Sequence, residues 1–203
     1  MHREMDEAEA IRPKGNREKK SPALHFFRRA LILKAGILHG RGARGKRKRG
    51  IVMEYRSYRD TDCRPSLLGL GCMRLPTLEP GGAAIDYARA GALVDAAVRG
   101  GITYFDVAYP YHGGGAEKFI GAALEKYPRE SFYLATKMPL WKLETQEDME
   151  QVFNEQLANC RVDYFDFYLC HAVDAERFEK IRRIGAFEFL ARKKAEGKIR
   201  RLG

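Results

Sequence analysis

No uninterrupted apolar stretch approaches the roughly 20 residues that a membrane-spanning helix needs, so a bilayer-embedded chain is not expected. Cysteine is scarce. Cys63, Cys72, Cys160 and Cys170 show no CxxC and no Cys/His pairing at the spacing a zinc or cluster site requires, so no metal site is expected. A reduced, cytoplasmic chain is the simpler reading. Cys72 and Cys170 lie in apolar runs and read as small buried hydrophobes rather than nucleophiles. Leader signals are lacking too. The apolar patch Ala30-Leu31-Ile32-Leu33 is too short, and followed too soon by Lys34, for a secretory signal, while Glu4, Asp6, Glu7 and Glu9 argue against an organellar transit peptide.

What is present is a charge of +10 in 203 residues, with 45% hydrophobic content, enough for a core. The charge is not spread. Residues 1–52 hold 15 Lys and Arg against 5 Asp and Glu, and the rest of the chain is balanced at 22 against 22. Residues 1–52 therefore read as a basic, disordered extension, and residues 53–203 as the folded part. The run Arg41–Arg49 fits either a solvated tail that touches nucleic acid nonspecifically or sequence without a selected role. The second is favoured, and a nucleic-acid partner is not expected. Met53 opens a better organised segment, which suggests that translation begins there.

From Met53 the pattern alternates. A hairpin is predicted from Glu54–Tyr58 through Asp60-Thr61-Asp62 with a return near Cys63, followed by a short buried strand over Ser66–Gly71. Apolar spacing predicts helices over Asp86–Arg99, Ala116–Lys126, Gln146–Asn159 and Phe178–Glu196. Strands are predicted at Ile102–Phe105, Phe132–Ala135, Tyr164–Cys170 and, just beginning, Ile199–Leu202. Strand and helix thus repeat about four times, the pattern of a parallel α/β sheet covered by helices. Gly69-Leu70-Gly71-Cys72-Met73-Arg74 lacks the third glycine of a dinucleotide-binding turn, and no helix follows at once, which argues against a doubly wound sheet. The remaining architecture is a partial TIM (β/α)8 barrel, comprising about the first four βα units, the start of strand 5 and an N-terminal hairpin.

Chemistry in such a barrel gathers where strands end, because the loops there share one mouth. Three consecutive strands lead into Asp106, Lys137 and His171, and Tyr111 follows Asp106 by five residues. Hydride addition to a carbonyl builds negative charge on oxygen, which must be stabilised and protonated. A phenol is a weak acid, with an ordinary pKa of about 10. A nearby ammonium stabilises its phenolate and makes it a better donor, and a carboxylate can hold that ammonium in place. Tyr111, Lys137 and Asp106 suit those tasks, and His171 suits a hydrogen bond that orients the carbonyl.

The segment Phe105-Asp106-Val107-Ala108-Tyr109-Pro110-Tyr111-His112-Gly113 resembles the Asp-Thr-Ala-x-x-Tyr-Gly signature of the aldo-keto reductase family. Ala135-Thr136-Lys137 resembles its lysine strand and Tyr168-Leu169-Cys170-His171 its histidine strand, and the similarity covers about Tyr55 to Gly203. The resemblance implies an NAD(P)H-dependent oxidoreductase that reduces aldehydes or ketones. Tyr111 would be the proton donor, Lys137 its activating ammonium, Asp106 the partner of Lys137, and His171 the group that positions a small carbonyl substrate. Val107 and His112 replace the signature's threonine and final glycine. Tyr109 is a second phenol two residues out of register, and His112 would either line the mouth or sit in an exposed loop. Flexibility is the reading preferred for Gly113-Gly114-Gly115. Glu117 matches a family glutamate whose place at a helix start suits the helix dipole.

The stretches Tyr109–Gly114 and Ala135–Lys142 are similar to a prokaryotic branch whose members often carry a C-terminal iron-sulfur domain; no iron-sulfur cluster is expected in this chain. A full barrel takes about 250 residues, whereas 151 follow Val52. The fold is thus expected to stop as its fifth strand begins, and the family's residues for NADPH or NADH are expected mostly in the missing half. A truncated reductase is the favoured expectation. The alternatives are a half barrel that pairs with a second copy or a separate C-terminal half, and a relic whose basic tail binds nucleic acid. Trp141 is the one bulky aromatic suggested as a pocket wall, and core packing explains it equally well.

Overall fold

The computed structural model describes residues 52–59 and 61–203. The expected basic extension, apart from Val52, lies outside the described residues, as does Asp60 of the predicted turn. Five strands, β1 (Leu70–Gly71), β2 (Tyr104–Asp106), β3 (Tyr133–Met138), β4 (Phe165–Cys170) and β5 (Ile199–Leu202), pair in parallel, each beside the next in sequence. Between them run α1 (Tyr87–Arg99), α2 (Gly115–Leu124), α3 (Gln146–Cys160), α4 (Ala175–Arg183) and α5 (Ala186–Ala195). A doubly wound sheet reverses its strand order at a switch point. The described strands do not reverse, so this α/β sheet is an arc of a barrel rather than an open, two-way sheet.

Local chemistry sets where the helices begin. The Asp86 carboxylate accepts the Arg89 amide at 3.0 Å and starts α1, and Thr145 and Asp148 cap α3 reciprocally, satisfying amides that the first turn leaves without partners. The apolar stripes then bury themselves against the sheet. Val94 and Ala97 of α1, Phe119, Ile120 and Leu124 of α2, Phe153 of α3 and Phe189 of α5 join Phe105, Leu134 and Tyr168 in one core. Each large apolar side chain so buried contributes roughly 1.5–3 kcal/mol. No helix among the described residues is long and apolar enough to cross a membrane.

The predicted hairpin forms. Tyr55 bridges Ser66 antiparallel, and the Tyr58 amide donates to the Cys63 carbonyl at 2.8 Å. It lies against the entry ends of the strands: the Ser66 amide donates to the Thr103 hydroxyl, the Arg64 amide to the Tyr133 hydroxyl, and the Tyr58 ring meets Phe167 edge-on at 5.5 Å. That end of the sheet is covered. The strand expected over Ser66–Gly71 shrinks to β1 because Ser66 is used by the hairpin. The single helix expected over Phe178–Glu196 is two, α4 and α5. Gly185 turns the chain between them with φ +70°, a left-handed backbone that glycine adopts without strain.

Helices α2 and α3 approach at Gly121, where an added Cβ would stand 2.5 Å from the Asn159 carbonyl oxygen and 2.6 Å from the Cys160 carbonyl carbon. Backbone cannot yield as a side-chain tip can. Gly121→Ala is therefore expected to destabilise the fold by about 1–3 kcal/mol or more. Gly91→Ala, on α1 with nothing within 4 Å of the new carbon, should stabilise it by about 0.5–1 kcal/mol. Urea denaturation of the two variants beside the parent checks the pair, and equal midpoints would contradict it.

Candidate active site

Asp106 ends β2 and faces Ala135 across the ladder, while Lys137 lies two residues further along β3. Side chains two apart share one face of a sheet, so the lysine stands one pleat beyond the aspartate and its ammonium reaches back. Lys137 Nζ donates to Asp106 Oδ1 at 2.7 Å, to the Val107 carbonyl at 2.8 Å and to the Tyr111 hydroxyl at 3.4 Å. The lysine side chain is 14% exposed, so water and salt screen this pair less than a surface ion pair.

His171 follows β4 directly, and its amide donates to the Met138 carbonyl at 3.1 Å. Its ring stands 6.1 Å from the Tyr111 ring and 5.1 Å from Trp141, edge-on to both. The structure thus brings Asp106, Tyr111, Lys137 and His171 to one end of the sheet, with half-exposed Trp141 beside them. Burial and then the Lys137 charge hold the imidazole below its ordinary value of 6.5, against a smaller opposing pull from Asp106. His171 Nδ1 is buried without a partner, and a proton there would be an unpaired donor. A neutral ring with its proton on Nε2 is the state that fits.

The chain leaves both Tyr111 and His171 through left-handed backbone at non-glycine residues, His112 with φ 55° and Ala172 with φ 53°. Such a conformation costs about 1–2 kcal/mol. Arg177 offsets it at Ala172 by donating to that residue's carbonyl at 2.9 Å and to Asp174 Oδ2 at 2.8 Å. Tyr109 is separated from the cluster by its own partners: its hydroxyl accepts from Lys142 Nζ at 2.7 Å and donates to Glu155 Oε2 at 3.2 Å. The ring of His112 hydrogen-bonds at both nitrogens to the loop after β1, so it is not a free loop side chain.

Glu117 lies at a helix start as expected and also has a second role. It is buried within the first turn of α2, and its Oε1 accepts from Thr136 Oγ1 and Gln156 Nε2, each at 2.6 Å. Burial raises its carboxyl above the ordinary range. Gln156 Nε2 also donates to the Lys137 carbonyl at 3.1 Å, and the Tyr168 hydroxyl donates to Gln156 Oε1 at 2.6 Å. This network grips β3 from the helix side, directly behind Lys137. Gln156 went unnoticed in the sequence, although a signal exists: it is the one polar residue in the buried stripe Met149, Val152, Phe153, Gln156, Cys160. Cys72 is fully buried, and burial pushes its thiol up to about 12; Cys170 is only partly buried.

A parallel barrel-type sheet with a phenol, an ammonium, a carboxylate and an imidazole gathered at its exit end defines a narrow class of proteins. The chain belongs to the aldo/keto reductase family, whose sequence model matches residues 67–203. It is similar to the methylglyoxal reductase YeaE of Escherichia coli (strain K12), with 36% identity over 112 residues, 55% of this chain and 37% of that protein. Among solved structures, the holo form of aldo-keto reductase AKR11C1 from Bacillus halodurans is 29% identical with a TM-score of 0.58, over 75% of this chain and 50% of that one. An aldo-keto reductase from Klebsiella pneumoniae in complex with NADPH is 25% identical with a TM-score of 0.55, over 75% of this chain and 49% of that one. The chain spans half or less of the length of each of these three relatives.

The folded state binds a proton at His171 less readily than the unfolded chain does. The contribution of His171 to stability is therefore complete above about pH 6.5 and is lost as the pH drops below it. Urea denaturation at about pH 7 and about pH 5 is expected to show this loss, reduced in His171→Gln, within the range where histidine titrates. An unchanged pH dependence in the variant would contradict the assignment.

Proposed function

We propose that this protein reduces an aldehyde or ketone to the corresponding alcohol, with Tyr111 as the proton donor. The observation that carries the reading is the Lys137 ammonium, held by Asp106 and the Val107 carbonyl while still within 3.4 Å of the Tyr111 hydroxyl. As hydride reaches the carbonyl carbon, the electron pair of the C=O π bond moves to oxygen. Tyr111 gives its proton to that oxygen, and the phenolate left behind is stabilised by Lys137. His171, neutral and carrying its proton on Nε2, donates a hydrogen bond to the same oxygen and fixes the substrate's orientation. Trp141 places its indole next to His171, where it offers an apolar surface to the substrate.

A nicotinamide dinucleotide, NADPH or NADH, supplies the hydride when bound. The donor set fits that chemistry at its carbonyl end: a phenol, an ammonium and an imidazole complement one developing negative charge. We assign none of the described residues to gripping the dinucleotide. The NADPH named with the Klebsiella pneumoniae relative supports NADPH as the first cofactor to try. The name of the Escherichia coli relative makes methylglyoxal the first substrate.

The test follows NADPH oxidation by this chain with methylglyoxal and a panel of simple aldehydes and ketones, beside Tyr111→Phe. Turnover is expected to fall by about 10²–10⁴-fold in the variant, the range of a lost general acid. Equal rates in the two would remove Tyr111 from the role, and no turnover of any carbonyl would overturn the activity.

A further inference from the structure

The turn that carries Tyr111 is held locally by the Tyr111 amide donating to the Ala108 carbonyl at 3.1 Å and the Gly115 amide donating to the Tyr111 and His112 carbonyls. Tyr111–Gly114 is a short 3-10 turn whose last three residues, His112, Gly113 and Gly114, are all left-handed, with φ of 55°, 63° and 91°. Two adjacent glycines leave such a backbone many alternatives. The contact that matters is also the longest of the three made by Lys137, 3.4 Å to the Tyr111 hydroxyl against 2.7 and 2.8 Å to the others. A small shift of the turn would break it.

His112 adds a tie from the turn to a separate segment of the chain. The Leu75 amide donates to its Nε2 at 3.1 Å, and its Nδ1 lies 3.3 Å from the Ala83 carbonyl. A backbone N–H only donates and a carbonyl only accepts. A neutral ring with its proton on Nδ1 therefore satisfies both, and neither the other tautomer nor the doubly protonated ring does. The two anchor points belong to the two arms of one small antiparallel turn, closed by the Thr77–Ile85 bridge and by the Leu78 amide donating to Ala84 at 3.0 Å. Leu75 is buried in the core, and the second arm runs into Asp86, the cap of α1. One imidazole thus joins the turn bearing the phenol to structure that is itself anchored.

We propose that His112 is a positioning residue for Tyr111, its ring stapling the 75–83 segment to the phenol-bearing turn so that the hydroxyl stays within reach of Lys137. The proposal rests on Tyr111 as the proton donor. It also accounts for a left-handed histidine where the family signature has glycine, because the ring's two hydrogen bonds offset what the backbone loses.

Three variants separate the ring from the backbone. His112→Ala loses the staple and keeps the strained backbone, and His112→Gly loses the staple but relieves the strain. His112→Asn tolerates left-handed backbone and can still donate to Ala83 from its amide. Because His112 acts on the chemical step through Tyr111, kcat is expected to fall about 10- to 100-fold in the alanine and glycine variants with KM within about twofold, and asparagine should restore it to within about threefold. A glycine variant as fast as the parent would overturn the proposal, as would a loss confined to KM. Should the alanine variant fail to fold, the glycine and asparagine variants carry the comparison. Long-range ¹⁵N–¹H NMR of the parent supplies a readout independent of turnover: His112 protonated at Nδ1 alone supports the staple, and any other state overturns it. In the variants lacking the staple, Tyr111 ring signals should shift or broaden while those of Tyr168 stay in place. If no carbonyl is turned over, the function reading has failed, and the tautomer and the Tyr111 signals alone decide the staple.

Discussion

The Lys137 ammonium sits where three pieces of chain meet, bonded to the carboxylate that ends β2, to the carbonyl one residue further on, and to the phenol of the turn beyond. An ammonium has three protons to donate, and here each has an acceptor. Removing the charge would leave Asp106 without its partner at the strand end and the phenol without the ammonium beside it. The geometry of the site is therefore the geometry of this one cation, and the sheet determines it: Asp106 lies opposite Ala135, so the lysine two residues on has the correct face and reach.

Neighbouring residues of β3 serve opposite faces. Lys137 turns to the site, and Thr136 turns to the helices, where Glu117, Gln156 and Tyr168 close a buried hydrogen-bonded chain. Gln156 also holds the Lys137 carbonyl, so the two sides share a residue. Buried polar groups are costly unless satisfied, and a network satisfied in this way permits few alternative arrangements. This strand is consequently anchored on both faces at Thr136 and Lys137, while the hairpin lies against the opposite end of the sheet.

Strain accompanies that precision. The residues after Tyr111 and His171 both adopt left-handed backbone without being glycine, and each is restrained by a nearby side chain, the His112 ring in one case and Arg177 in the other. Conformations of this kind persist only where surrounding contacts over-determine them.

Read from sequence alone, periodicity placed the strands and most helices, because a residue's burial alternates with a spacing that its own element dictates. The succession of strand and helix defined a parallel α/β sheet; Asp106, Lys137 and His171 were legible because each stands at or near the end of a strand, and Tyr111 because it follows Asp106 by five residues. The break at Gly185 was not, since a glycine inside an apolar pattern does not reveal whether its backbone is left-handed. Nor was the burial of Glu117 and Gln156, which depends on three elements meeting behind β3. Between Tyr109 and Tyr111 the resemblance to the family signature expressed a preference, and the tertiary structure separates them by their partners, Lys142 and Glu155 for one and Lys137 for the other. Sequence determined which groups were available and at which strand ends. Distances between them arise from sheet register and packing, which join residues far apart in the chain, and so only the fold decided which phenol meets the ammonium.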